Sequence, residues 1–198
     1  DDLLTIMDSL HIRKAHIVGL SMGAFVAADL LALHPERILT CVLASGGLKT
    51  YEGPSEPMTV EESVKRDAEI AQLKKQGVAN MKQKWLEQLI ASGGSQREKM
   101  RIPLKEMIDD WTAWQPLHKE VRVLMAKDAM VVFKKTRPKV PTLIIDGGAK
   151  SNHYSARPWM LDYLPNGSHI IIPDCGHMMN MERPKEFNNV VKNFISRH

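Results

Sequence analysis

An apolar strand, one serine and an apolar helix follow each other without a spacer near the start of this chain. Ala15 to Leu20 (Ala-His-Ile-Val-Gly-Leu) reads as a short buried strand, and Met22 to Leu33 as a helix that stops before Pro35. Ile38 to Ala44 is a second apolar strand, closing on Ser45-Gly46-Gly47. Two strands joined through a helix must run parallel, because a short hairpin cannot connect parallel neighbours. Apolar runs without strict alternation predict a sheet covered on both faces, so the expected class is α/β.

The rest of the chain fits around that unit. Residues 3–10 carry apolar groups at helical spacing and feed the first strand. From 48 to 139 the pattern changes to amphipathic helices. Thr59 and Glu62 form a capping box for one that ends at Gly77, and Val78, Met81, Trp85, Leu89 and Ile90 mark a second that ends at Ser92-Gly93-Gly94. Leu104, Met107, Ile108, Trp111 and Trp114 mark a third, and residues 117–135 a fourth. Strand patterns return at 142–146 and 169–172, with helices expected at 156–163 and from Pro184 to Ile195. The predicted organisation is a core of residues 1–47 and 140–198, interrupted by a helical block at 48–139.

Composition narrows the functional classes. The 198 residues are 43% hydrophobic, enough for one domain core. The 27 Lys and Arg are interleaved with 23 Asp and Glu, leaving a net charge of +4 and no basic block for nucleic acid. The most apolar stretch, 17–33, is broken by Ser21 and Asp29 and is short for a membrane span, so no membrane association is expected. Cys41 and Cys175 make neither a disulfide framework nor a zinc spacing, which points to a reducing, cytoplasmic setting. The histidines show no H-E-x-x-H or similar spacing, so no metal site is expected. The chain opens on Asp1-Asp2 without a signal peptide or an initiator Met, which suggests a processed product.

Chemistry concentrates where the first strand meets its helix. Gly19-Leu20-Ser21-Met22-Gly23 is a G-x-S-x-G elbow. Its glycines permit a sharp turn that holds Ser21 strained and exposed as a candidate nucleophile, and the helix start below it favours developing negative charge. The backbone N–H of Met22 is a candidate oxyanion donor. Near the other end, Pro173-Asp174-Cys175-Gly176-His177 follows the last strand, which brings His177 to the carboxyl edge of the sheet as a candidate general base.

These residues resemble the α/β-hydrolase superfamily, in particular its cap-bearing carboxylesterases, enol-lactonases, meta-cleavage product hydrolases and non-haem haloperoxidase-like enzymes. The likeness lies in His16 through Gly23 with His34-Pro35-Glu36-Arg37, and in Pro141 through Ile145 with Gly176-His177-Met178 and Glu182-Arg183-Pro184. It implies a partial α/β-hydrolase fold: a mostly parallel sheet flanked by helices, with the helical block as a lid. It also implies a serine hydrolase that uses Ser21 and His177 to cleave a small apolar carboxylic ester or lactone through an acyl-enzyme, without a cofactor.

Two features depart from the family pattern. Lys150 stands about where the triad carboxylate belongs, which leaves Asp146 and Asp174 as candidate acids. The four strands that usually precede the nucleophile strand are absent, and with them the loop that supplies a second oxyanion donor, a loss of about 3–4 kcal/mol in the transition state. The edge of Ala15 to Leu20 should then be open, and a homo-oligomer or another polypeptide is expected to pair with it. These departures also fit a degenerate hydrolase-like protein that binds a small apolar ligand or a partner without turnover. They fit equally a fragment that is inactive without the missing strands.

Overall fold

The computed structural model describes residues 2–48, 59–118, 129–152 and 158–198. Strands β1 (Ala15–Leu20), β2 (Ile38–Ala44), β3 (Thr142–Gly147) and β4 (Gly167–Ile172) form one sheet in the order β1-β2-β3-β4. All three pairings are parallel, and the register Leu20↔Ala44↔Ile145 brings the carboxyl ends of the first three strands level. The helices are α1 (Asp2–Ser9), α2 (Met22–Leu33), α3 (Val60–Gln76), α4 (Val78–Ala91), α5 (Arg101–Asp110), α6 (Ala129–Thr136), α7 (Met179–Glu182) and α8 (Pro184–Ile195).

The two-residue period of the inner strands sorts their side chains into two layers. Cys41 and Leu43 of β2 join Ile144 of β3 against Ala24, Ala28 and Leu31 of α2. The alternate residues, Val42, Ala44, Leu143 and Ile145, pack against Phe187 of α8, with Val190, Val191 and Phe194 beside it. Those four α8 positions fall on one helical stripe, whereas α2 is apolar over more of its circumference and α6 packs along it. The alanines of α2 keep its axis close to the sheet.

Coverage on both faces holds for β2 and β3 but not for the edges. Residues of β1 alternate between partly buried and exposed, with Val18 45% exposed, and Ile171 of β4 is 57% exposed. An edge strand has a neighbour on one side only, so apolar content alone overstates its burial.

Between β2 and β3 the helices build a separate core. The capping box forms as read: the Glu62 N–H donates to Thr59 Oγ1 at 3.2 Å and the Thr59 N–H to Glu62 Oε2 at 2.8 Å. Gly77 then takes φ 83 between α3 and α4, a conformation that suits glycine. Leu86, Leu89 and Ile90 of α4 meet Leu104 and Ile108 of α5 and Met100 of the 3-10 turn Arg97–Met100. Met178 and Leu20 reach into this cluster from the sheet side. The third helix is shorter than read and ends at Asp110, where Trp111 turns extended.

The fourth predicted helix falls partly outside the described residues. Its described part, α6, departs from the boundary of the helical block: Ala129 and Phe133 pack with α2 and the sheet, not with α4 and α5. The helix expected at 156–163 is described only as the 3-10 segment Pro158–Tyr163. Among the described residues no helix is long and apolar enough to cross a membrane.

Phe133 is fully buried between α2 and the sheet layer. Phe133→Ala should therefore lower the unfolding free energy by about 3–5 kcal/mol in urea titration. A loss below about 1 kcal/mol would place α6 outside the sheet core.

Candidate active site

Ser21 occupies the single residue between β1 and α2 with φ 55 and ψ −118, a backbone conformation that non-glycine residues avoid. Such a conformation costs on the order of 1–3 kcal/mol and persists only where neighbours enforce it. Here the Ser21 N–H donates to the Ala44 carbonyl at 2.9 Å, and the Ser21 carbonyl accepts from the Ala24 N–H at 3.0 Å. A Cβ on Gly19 would lie 2.2 Å from the Gly23 carbonyl oxygen, and one on Gly46 would lie 2.5 Å from that of Ser21. Both glycines are thus dictated by backbone-to-backbone approach. Gly23 is different, because a Cβ there meets no atom within 4 Å and the turn itself makes no demand on it. Met22 is the first residue of α2, so its N–H is among the donors that a helix leaves without an intrahelical partner.

His177 arrives from the far end of the chain, on the loop between β4 and α7. Its Nε2 stands 2.9 Å from Ser21 Oγ, across 156 positions of sequence. The residue is 5% exposed, and burial pushes the imidazole pKa below its ordinary value near 6.5, favouring the neutral form that can accept a proton. The structure therefore brings together Ser21, His177 and the start of α2.

The aspartates proposed as acids carry bonds of their own. Asp146, at the end of β3, pairs through Oδ2 with Nε2 of His169 on β4 at 2.9 Å. Asp174 accepts from the Ser95 N–H at 2.8 Å, from the Ser95 hydroxyl and from the Arg183 guanidinium. The Ser95 contacts, with Arg183 behind them, hold its carboxyl below the usual aspartate range. The Asp174 partners lie in the turn after α4 and between α7 and α8. Lys150 lines a cavity of about 640 Å³ together with Arg97, Glu98 and Asp174. Among the described residues there is no group of three or more side chains able to hold a metal ion.

One residue of the site's surroundings is part of the family likeness but has no role assigned to it by the sequence. Glu182, 2% exposed, accepts from the Gly176 N–H at 2.8 Å and the Gly94 N–H at 2.7 Å. An acid at the end of the Met-rich run 178–181 was the available clue, since such a run is otherwise bound for a core.

Residues 1–190 match the family described as the alpha/beta hydrolase family. A putative non-heme bromoperoxidase, BpoC, of Mycobacterium tuberculosis is 24% identical over 98% of this chain and 73% of its own length. A 2-hydroxy-6-oxononadienedioate/2-hydroxy-6-oxononatrienedioate hydrolase of Burkholderia vietnamiensis is also 24% identical, over 98% of this chain and 67% of its own. Among solved structures, an esterase from Exiguobacterium antarcticum superposes with a TM-score of 0.70 at 18% identity, covering 98% of this chain and 71% of that one. At that identity the superposition speaks for the fold.

The two glycines of the elbow should behave differently on substitution. Gly19→Ala should lower the melting temperature and disrupt the turn, because the clash is with backbone. Gly23→Ala lies in a helix with open space and should be neutral or stabilising by up to about 1 kcal/mol. Equal thermal shifts in the two variants would refute the distinction.

Proposed function

We propose that this chain, which belongs to the alpha/beta hydrolase family, is a serine hydrolase of small apolar carboxylic esters or lactones. Ser21 is its nucleophile and His177 its general base. The observation that carries the assignment is the 2.9 Å approach of His177 Nε2 to the hydroxyl of a serine held at positive φ. In the neutral tautomer that this chemistry uses, the Ser21 hydroxyl donates to Nε2.

As Ser21 Oγ bonds to the acyl carbon, its proton passes to Nε2 and the carbonyl electron pair moves onto oxygen. The oxyanion lies toward the Met22 N–H and the positive end of α2. Collapse re-forms the carbonyl and breaks the bond to the alcohol oxygen, which takes the proton from the imidazolium. A lactone keeps that alcohol tethered to the acyl group. Water then attacks the acyl-serine, His177 takes the water proton and returns it to Ser21, and the acid departs. Each cycle consumes one water and leaves the protein unchanged.

The apolar substrate class follows the family resemblance, and the apolar helices of residues 60–110 adjoin the sheet side at Leu20 and Met178. Those helices serve as the lid. The 2-hydroxy-6-oxononadienedioate/2-hydroxy-6-oxononatrienedioate hydrolase among the relatives supports hydrolytic chemistry. Asp146 and Asp174 remain the two candidates for the acid that orients the imidazole.

A fluorophosphonate should label the protein at Ser21 and hydrolysis of a short p-nitrophenyl ester should be measurable, with both lost in Ser21→Ala. Equal labelling of the two proteins would remove the nucleophile assignment, and no labelling of either would favour a binding protein. In the same assay, Asp146→Asn and Asp174→Asn identify the acid by whichever cuts kcat strongly.

The pH dependence has a definite sign. Turnover needs neutral His177, and burial lowers its pKa, so the active form persists below the ordinary histidine value near 6.5. The acid limb of kcat/KM should therefore be centred below pH 6.5. A limb centred above it would contradict a buried base.

A further inference from the structure

Glu182 is a buried carboxylate at the end of α7 whose two oxygens accept from two backbone donors, the Gly94 and Gly176 N–H groups. The neighbouring Arg183 guanidinium turns to the carbonyl and carboxylate of Asp174. Burying an ionised acid is costly unless hydrogen bonds replace its water, and bonds to an ionised acceptor are among the stronger ones available. An apolar side chain would fill the same space without that cost. The position of the two donors gives the acid its use: Gly176 immediately precedes His177, and Gly94 lies in the turn between α4 and the 3-10 segment of the helical block.

The two loops that Glu182 joins are in backbone contact. A Cβ on Gly176 would sit 2.1 Å from the Ser92 carbonyl oxygen, and one on Gly94 would sit 2.2 Å from that of Asp174. The Ser95 N–H bonds to Asp174 at 2.8 Å, and the Ser151 hydroxyl donates to the Gly93 carbonyl at 2.7 Å. Of these hydrogen bonds, the Glu182 bond to Gly176 is the one made to the residue adjoining the imidazole-bearing residue.

We infer that Glu182 is a positioning residue for the proposed hydrolysis: its carboxylate fixes the Gly176 backbone to the helical block, and so sets where His177 Nε2 meets Ser21. The inference rests on Ser21 and His177 acting as nucleophile and base. A shift of about 1 Å at a reacting group can cost on the order of 10²-fold in rate. The latch therefore also makes the lid and the base move as one, so that displacing the 92–95 turn displaces the imidazole.

Glu182→Gln preserves the shape but turns an NH₂ toward one of the two backbone donors, breaking one bond. Glu182→Asp keeps the charge but is one methylene short and can reach one donor at a time. On a short p-nitrophenyl ester, Glu182→Gln should lower kcat about 10–100-fold, with KM within about twofold and the fluorophosphonate labelling rate falling in parallel. Glu182→Asp should be intermediate. It carries the test alone if the glutamine variant is insoluble. Ser95→Ala, which loosens the same interface without touching Gly176, should keep kcat within about twofold of wild type.

Three results would overturn the inference. One is wild-type kcat and labelling in both Glu182 variants, with wild type labelled at Ser21. Another is an equal loss of kcat in Ser95→Ala, which would make the effect general loosening of the interface. The third is a wild type that takes no label, which removes the nucleophile assignment and this inference with it.

Discussion

The site depends on one loop crossing the top of the sheet. Ser21 follows β1 and His177 follows β4, which are the two edge strands. With neighbouring strands about 4.8 Å apart, three spacings separate them by about 14 Å. The side chains nonetheless meet at 2.9 Å. The chain after β4 must therefore run back over the carboxyl ends of β3 and β2, and the surrounding backbone is shaped to let it. The Ala149 N–H donates to the Cys175 carbonyl at 2.9 Å, and a Cβ on Gly147 would sit 2.3 Å from the Gly176 carbonyl oxygen. The crossing loop lies directly on the end of β3, with the 92–95 turn pressed on it from the other side.

This geometry assigns different work to acids that look alike in a sequence. Asp174 belongs to the crossing loop and ties its outer side to Ser95 and Arg183. Glu182 ties its inner side at Gly176. Asp146 caps the neighbouring strand by pairing with His169 across the β3–β4 ladder. At least two of the three thus hold backbone in place, and burial pushes the His177 imidazole pKa below its ordinary value. In this member of the alpha/beta hydrolase family the loop that carries His177 is held by backbone contacts, which do not depend on the side chains of the 60–110 helices.

What the sequence revealed, and what it hid, follows from the range of each interaction. The elbow was legible because its strand, turn and helix are contiguous, and His177 because it follows the last strand directly. Gly19 and Gly23 look equivalent in the motif, yet only Gly19 abuts backbone, a fact that depends on the packing of the turn. Glu182 was part of the family likeness, but its partners could not be read, since one of them, Gly94, is 88 positions away. The apolar spacing of α6 shows that it has a buried face but not which core receives it, and Phe133 goes to the sheet. In β1 the apolar run predicted full burial, whereas the strand's place at the edge leaves Val18 exposed.

The same loop also explains why strain at Ser21 can be sustained. A serine at φ 55 relaxes toward ordinary helical geometry unless its neighbours resist. The Ala44 carbonyl fixes its N–H, and Gly46, lacking a Cβ, lets the Ser21 carbonyl pack close against the end of β2. Both belong to the end of β2, which is itself clamped by β3, where the Ser45 N–H bonds to the Ile145 carbonyl at 3.0 Å. The crossing loop rests on the next residues of β3. Strain at Ser21 and the position of His177 are therefore borne by the same two inner strands, the ones buried on both faces. Loosening β2 against β3 would relax the serine and shift the histidine together, so the two halves of the site should fail as a unit.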